Sequence, residues 1–286
     1  MSSKKFILDS PINWYGGKGG DVQRKLLNKI IYYIEQANSN IFVDIFAGSG
    51  IVSLNVEKPI IIYNDINKKL INFFNVLRDY ELSEKLVRRL SLTLYSKGEY
   101  ELLQSQLDIN CGMVENAAKF YVATMQSINA SGAMIKKQTW RNSKSKSRRG
   151  MAQCVSSWLR NIDENLPDVV EKFREMQVTN YDVFECIDKY DKENVVFYFD
   201  PPYIQDERIY KKVYSNEFTL KNHKELINKL LTLKGKSVIS GYDSSIYDNL
   251  VENGWRKEII KSKTSATINN KKRINRDSNE VIWYKI

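Results

Sequence analysis

Histidine and cysteine are scarce in this chain of 286 residues, which holds a single histidine, His223, and three cysteines. One histidine argues against a histidine-rich metal site, and no nucleophilic triad is evident around it. The cysteines at 111, 154 and 186 form no CxxC pair, so the sequence suggests neither a disulfide framework nor a zinc site. We therefore expect no bound metal.

Long apolar runs are also missing. No run approaches the roughly 18 residues of a membrane span, and residues 1–6 lack the apolar region of a signal peptide. These absences indicate a cytoplasmic protein without a membrane partner. The 42% hydrophobic content supports one large domain, or one domain with an insertion.

Acidic residues are absent from two basic windows, residues 136–149 and 261–276. The positive charges in these two windows together exceed the net charge of the whole chain, which is +10. The rest of the chain therefore has a slightly negative net charge. Such clusters are typical of a phosphate-backbone partner, although two solvated loops would look the same. The aromatic Trp140 could stack on bases or anchor its loop. The candidate DNA-binding residues are Lys136, Lys137, Trp140, Arg141, Lys144, Lys146, Arg148, Arg149, Lys271, Lys272 and Arg273.

The most informative apolar run is 195–199, Val-Val-Phe-Tyr-Phe, which predicts a strand buried on both faces of a parallel sheet. It is followed by Asp200, Pro201, Pro202 and Tyr203. The two prolines end the strand and hold the turn rigid. Ligands bind outside the carboxyl ends of parallel strands, so this turn presents a carboxylate, a carbonyl and an aromatic ring to a ligand.

Two further strand ends carry candidate ligand groups. The run 41–45 includes Asp44, which we place near the strand end, and leads into a turn containing Gly48 and Gly50. A second strand over 59–64 ends at Asp65, an acid placed to accept hydrogen bonds from ribose hydroxyls. Taken alone, Asp65 would more often cap the following helix.

The remaining chain predicts alternating strands and helices, and therefore an α/β sheet. Residues 66–176 lack strong strand signals and indicate an inserted helical lobe, whereas 1–65 and 177–286 form the sheet domain. Helices are also expected over 21–37, from about 51, and over 67–80, 83–94, 114–127, 151–174 with a break near Pro167, 220–231 and 244–252. Further strands are expected over 176–180 and 238–240. A hairpin of 255–260 with 280–285 closes the chain, and its connecting loop is the second basic window.

The glycine turn and Asp65 suit an adenosine-containing cofactor, and no P-loop is present, which favours S-adenosylmethionine over a nucleoside triphosphate. If the methyl group is transferred to an exocyclic amine on a nucleic-acid base, the enzyme must activate that amine. The amine is a poor nucleophile because its lone pair is delocalised into the ring. Asp200 and the Pro201 carbonyl could accept its two hydrogen bonds, while Tyr203 stacks on the base. Because that amine is buried inside a duplex, the base must be flipped out.

In order and spacing these motifs resemble those of the Dam-like α class of adenine-N6 DNA methyltransferases. Asp200 to Tyr203 matches the catalytic DPPY tetrad of that class, and Asp44 to Gly50 resembles its glycine loop. The resemblance implies a Rossmann-like methyltransferase sheet with an inserted, mainly helical target-recognition lobe. It also implies S-adenosylmethionine contacts from Trp14, Lys18, Asp44, Phe46, Gly48, Gly50, Asp65, Asp182 and Asp200.

The implied reaction is methyl transfer to a flipped-out adenine in double-stranded DNA, with a cognate restriction endonuclease as a further partner. Cytosine-N4 or RNA adenine methylation, or a catalytically idle DNA-binding module, are the alternatives. Two positions depart from the family pattern: Ile45 replaces a frequent proline, and Asn222 replaces the aspartate that often precedes the histidine. The target sequence is not predicted.

Overall fold

A seven-stranded sheet lies between two layers of helices in this protein. The computed structural model describes residues 7–14, 21–130, 132–133, 139–202, 218–268 and 272–286. The strands are β1 (Ile41–Asp44), β2 (Ile60–Asn64), β3 (Gln177–Thr179), β4 (Val195–Phe199), β5 (Lys236–Tyr242), β6 (Arg256–Ile268) and β7 (Lys272–Lys285). The helices are α1 (Asp21–Gln36), α2 (Ile51–Asn55), α3 (Lys68–Arg78), α4 (Tyr80–Ser91), α5 (Lys97–Ser105), α6 (Met113–Met125), α7 (Gln153–Arg160), α8 (Leu166–Arg174), α9 (Val183–Tyr190), α10 (Leu220–Leu231) and α11 (Asp248–Glu252).

The strand order is β3-β2-β1-β4-β5-β7-β6. Strands β1 to β5 pair in parallel, whereas β7 is antiparallel to both β5 and β6. The order reverses between β1 and β4, and such a switch point is where open α/β sheets bind ligands. The predicted α/β fold with a Rossmann-like parallel sheet is therefore confirmed.

The central strands are apolar on both faces because both faces are covered. Phe42 and Val196 point into a core shared with the helices from α1 to α8, and Val43 and Phe197 point into a second core with α9, α10 and α11. All five residues of β4 are buried. This explains why the run 195–199 is continuously hydrophobic rather than alternating.

Helices α3 to α8 form one long crossover between the neighbouring strands β2 and β3. They pack on the sheet through aromatic rings. The centroid of the Phe74 ring lies 4.7 Å from that of Tyr63 in β2, in a tilted contact, and 4.3 Å from that of Phe173 in α8, in a stacked contact. The helices expected near 67–80, 83–94, 114–127 and 151–174 are all present, and α5 was not predicted. The division of the chain into two domains stays a prediction.

The expected break near Pro167 is a π-helical turn, Asn161–Asn165, which joins α7 to α8. Pro167 itself lies in the first turn of α8, where its missing N–H costs no helical hydrogen bond. No helix in the described part of the chain has the length and apolar character needed to span a bilayer.

The prediction for the closing hairpin was wrong over the second basic window. We expected a connecting loop there, but β6 and β7 pair continuously from Arg256–Tyr284 to Ile268–Lys272. Strand β5 pairs with β7 only as far as Tyr242 and Glu280, so the rest of the hairpin extends beyond the sheet as a two-stranded ribbon. The window is polar and basic and lacks the alternating apolar pattern of a half-buried strand, so its sequence resembled a loop.

Candidate active site

Three aspartates follow neighbouring parallel strands at one edge of the sheet. Asp44 is the last residue of β1, Asp65 follows β2 directly, and Asp200 follows β4 directly. Strand β1 lies between β2 and β4, so about 10 Å of sheet width separates the ends that carry Asp65 and Asp200. The sheet topology therefore brings these three strand ends to the same side of the sheet.

Asp65 is bound by the glycine loop. Its Oδ2 accepts a hydrogen bond from the Gly48 N–H at 3.0 Å, and its Oδ1 accepts one from the Asn67 N–H at 2.8 Å. Burial raises the pKa of Asp65 to about 6, although both backbone hydrogen bonds favour the ionised form. A carboxylate that retains this much proton affinity gains from a ligand that donates further hydrogen bonds to it.

The glycine loop has a backbone shape that only glycine adopts easily. Gly48 and Gly50 have φ angles of 51° and 74°, in the left-handed region. A Cβ at Gly48 would lie 2.9 Å from Nε1 of Trp14, and the Tyr63 hydroxyl donates to the Gly48 carbonyl at 2.5 Å. Trp14 and Tyr63 thus fix the loop from two directions.

Asn64, the last residue of β2, joins the segments that follow three strands. Its side-chain amide donates to the Ile45 and Tyr181 carbonyls, both at 3.1 Å, and its Oδ1 accepts from the Tyr181 N–H at 2.9 Å. Asn64 is buried, and the sequence analysis missed it. An amide at the end of an apolar strand was the available signal, because a buried amide requires polar partners.

The other expected cofactor residues have different surroundings. The Asp44 side chain is 1% exposed and accepts a hydrogen bond from the Ser53 hydroxyl at 2.7 Å, so it ties α2 to β1. Phe46 packs edge-on against Phe218 at 5.4 Å. Asp182 is exposed and caps α9 by accepting from the Phe184 N–H. Direct cofactor contacts from these side chains stay predictions.

Asp200 is oriented by its neighbour strand. The Ser240 hydroxyl of β5 donates to Asp200 Oδ1 at 2.8 Å. Because the Ser240 hydroxyl proton is already donated to Asp200, Ser240 can only accept from Tyr198. The Tyr198 hydroxyl therefore donates to the Ser240 oxygen, at 2.7 Å. Burial raises the pKa of Tyr198 well above its ordinary value, which keeps the phenol protonated as a donor. The contact of Ser240 with Asp200 depends on strand order, which no local sequence pattern reveals.

His223 supports the turn after β4. Its Nε2 lies 3.0 Å from the Pro202 carbonyl oxygen, and its Nδ1 lies 2.8 Å from the Tyr247 hydroxyl. The carbonyl can only accept, so Nε2 carries a proton and donates to it. His223 is 1% exposed, and it positions the backbone of the Asp-Pro-Pro turn. The sequence analysis assigned it no role.

Trp140 anchors the first basic window. Its indole N–H donates to Gln126 Oε1 at 3.2 Å, and its ring lies 5.6 Å from that of Tyr95. This favours the anchoring role over base stacking. The basic side chains at 144, 146, 148 and 149 are exposed, and Arg149 pairs with Glu164.

Several expected site residues lie outside the described residues: Lys18, Lys136, Lys137, Tyr203 and Lys271. The backbone of Lys272 and Arg273 lies in β7. Within the described ranges, no group of three or more histidine, cysteine, aspartate or glutamate side chains is placed to hold a metal ion.

A curated relative, modification methylase StsI of Streptococcus sanguinis, is 27% identical over 212 residues, which cover 71% of this chain and 30% of that protein. The chain thus corresponds to under a third of that relative's length.

Two solved structures are similar at low identity. A precorrin 8w decarboxylase from Methanobacterium thermoautotrophicum has a TM-score of 0.41 at 9% identity, covering 98% of this chain and 100% of that one. A SAM-dependent methyltransferase from Agrobacterium tumefaciens has a TM-score of 0.39 at 10% identity, covering 93% of this chain and 62% of that one. Neither adds to what the strand order already shows.

The family model for D12 class N6 adenine-specific DNA methyltransferases matches residues 14–268, which is most of the chain and includes the glycine loop, Asp65, the turn at Asp200 and the first basic window. The chain belongs to the D12 class of N6 adenine-specific DNA methyltransferases.

Proposed function

We propose that this protein transfers the methyl group of S-adenosylmethionine to the N6 amine of a flipped-out adenine in double-stranded DNA. The observation that supports this most directly is the placement of Asp200. Its carboxylate follows the central strand β4, is oriented by Ser240, and lies at the same sheet edge as the glycine loop and Asp65.

The residues at this edge fit the cofactor. The carboxylate of Asp65 would accept hydrogen bonds from the ribose hydroxyls, and the glycine loop at 48–50 allows the backbone to approach closely. Trp14, Lys18, Phe46 and Asp182 are further proposed contacts. When bound, the cofactor supplies a methyl group activated by a sulfonium centre.

Asp200 and the Pro201 carbonyl would accept hydrogen bonds from the two N–H groups of the adenine amine. These bonds would favour a pyramidal nitrogen, whose lone pair can attack the methyl group. Tyr203 would stack on the flipped base. His223 already binds the Pro202 carbonyl, so this turn is held in place before substrate arrives. The arrangement works by position and charge, without a covalent intermediate.

The basic residues of 136–149 and of the β6–β7 ribbon would bind the DNA backbone, and the lobe of residues 66–176 would read the target sequence. A DNA substrate of this kind would place the protein in the cytoplasm. The name of the relative, a modification methylase, supports pairing with a restriction endonuclease of the same target site.

The substitution Asp200→Ala tests the proposal. We expect methyl transfer from labelled cofactor to DNA to be lost, because the amine loses its charged acceptor, while duplex binding persists. A matched control is Asp188→Ala, which removes an exposed carboxylate of α9 that pairs with Lys229, and it should keep full activity. Full activity of Asp200→Ala would contradict the mechanism.

A further inference from the structure

A polar cavity of about 370 Å³ lies between the amino-terminal segment, residues 7–14, and the helical lobe, beside the glycine loop. Trp14 and Ser49 line it on the side of the loop, and Arg141 and Arg160 line it on the side of the lobe. With Arg24 of α1, three guanidinium groups line the cavity against a single carboxylate, that of Asp9. The cavity therefore has a positive balance that favours an anion.

Asp9 contacts two of these arginines at once. The distance from Arg24 Nη2 to Asp9 Oδ1 is 3.2 Å, and that from Arg160 Nη2 to Asp9 Oδ2 is 3.8 Å. All three side chains are about half exposed, so an incoming anion can reach them. Each guanidinium has five N–H donors in a planar fork that suits phosphate oxygens, and one shared carboxylate uses few of them.

The walls of the cavity are tied together by hydrogen bonds. The Asn161 side-chain amide donates to the Pro11 carbonyl at 2.5 Å, and the Asn165 amide donates to the Ser10 carbonyl at 3.0 Å. The Ser10 hydroxyl lies 3.1 Å from the Ser49 carbonyl oxygen, which links the same segment to the glycine loop. An anion bound here would meet arginines whose supporting backbone is already fixed.

We propose that this cavity binds one phosphate group of the DNA backbone through Arg160 and Arg24, and that Asp9 is an internal competitor for the two guanidinium groups. The proposal rests on the DNA methyltransferase function proposed above. A phosphate contact here would fix the position of the duplex beside the glycine loop without reading sequence.

The phosphate contact is tested by two substitutions in the cavity, one that removes a positive charge and one that removes a negative charge. Binding of a short fluorescein-labelled duplex of mixed sequence is measured by anisotropy over a range of salt concentrations. Arg160→Gln should weaken binding by about threefold to tenfold at low salt and reduce the salt slope by about one. Asp9→Asn should instead tighten binding by roughly twofold to fivefold, because it releases both guanidinium groups.

A matched control is Arg256→Gln, which removes an exposed guanidinium at the start of β6, opposite Tyr284 and at the end of the sheet away from the site. It should leave duplex affinity within about twofold of the wild type. If Asp9→Asn does not fold, as judged by thermal unfolding, Arg24→Gln is the second variant, and it should weaken binding as Arg160→Gln does.

The phosphate assignment is overturned if Arg160→Gln and Arg24→Gln bind the duplex as Arg256→Gln does. It is also overturned if these variants change only the response to inorganic phosphate at constant ionic strength, which would assign the cavity to a free anion. Methyl transfer is measured in parallel. A wild type that binds the duplex with the expected variant effects but transfers no methyl group would contradict the proposed function and still support the phosphate contact.

Discussion

The protonation of Asp65 should control cofactor binding. Burial raises its pKa from 3.8 to about 6, and a carboxyl that is protonated loses one acceptor for the ribose hydroxyls. We therefore expect S-adenosylmethionine to bind the ionised form. Its affinity should be constant above about pH 7 and should fall by about tenfold at pH 5, one unit below the pKa.

Isothermal titration calorimetry of S-adenosylmethionine between pH 5 and 7.5 measures this dependence. The variant Asp65→Asn removes the titrating group, so it should bind more weakly at pH 7 and show no inflection near pH 6. A wild-type dissociation constant that does not change across this range would refute the role assigned to Asp65, since the proposed binding requires its deprotonation.

The same shift makes a prediction for stability. The pKa of Asp65 is higher in the folded than in the unfolded chain, so its contribution to stability is fully present below about pH 4 and is lost as the pH rises through about 6. The loss is about 3 kcal/mol at most. In urea unfolding, the difference between wild type and Asp65→Asn should change by up to that amount between pH 4 and 7.

Two further substitutions test the backbone around the site. Gly48→Ala should lower the free energy of unfolding in urea by about 1–3 kcal/mol, because alanine is strained at φ 51° and its Cβ would contact Trp14. The control Gly254→Ala, at φ 86° with open space around it, measures the backbone strain alone. Equal losses of stability in the two variants would exclude the Trp14 contact. His223→Ala should reduce the methyl-transfer rate by roughly tenfold with little change in duplex affinity, because the Pro202 carbonyl loses its donor, and His223→Gln should restore part of the rate. Equal rates for the two variants would limit His223 to a packing role.

The groups at the strand ends could be predicted from the sequence because each is marked locally. Asp65 follows a continuous apolar run, and Asp200 stands between such a run and two prolines. Burial on both faces produces these apolar runs. Strands β1, β2 and β4, and the aspartates at their carboxyl ends, could therefore be predicted from the sequence.

The contacts that orient these groups could not be predicted, because they depend on which strands become neighbours. Ser240 reaches Asp200 only because β5 pairs with β4, and His223 reaches Pro202 only because α10 packs beside that turn. Asn64 is similar, since its partners follow β1 and β3. The basic ribbon was mistaken for a loop because its sequence carries no periodic apolar signal.

The strand order also has a consequence for how the protein folds. The hydrogen bond between Gly48 and Asp65 closes over 17 residues, so the half of the site proposed to hold the cofactor is a local structure. The central pairing of β1 with β4 joins Ile41 to Val195, across the whole helical crossover. Closing so long a segment is slow, so we expect the half of the site that carries Asp200 to assemble late in folding, onto a cofactor half that is already formed.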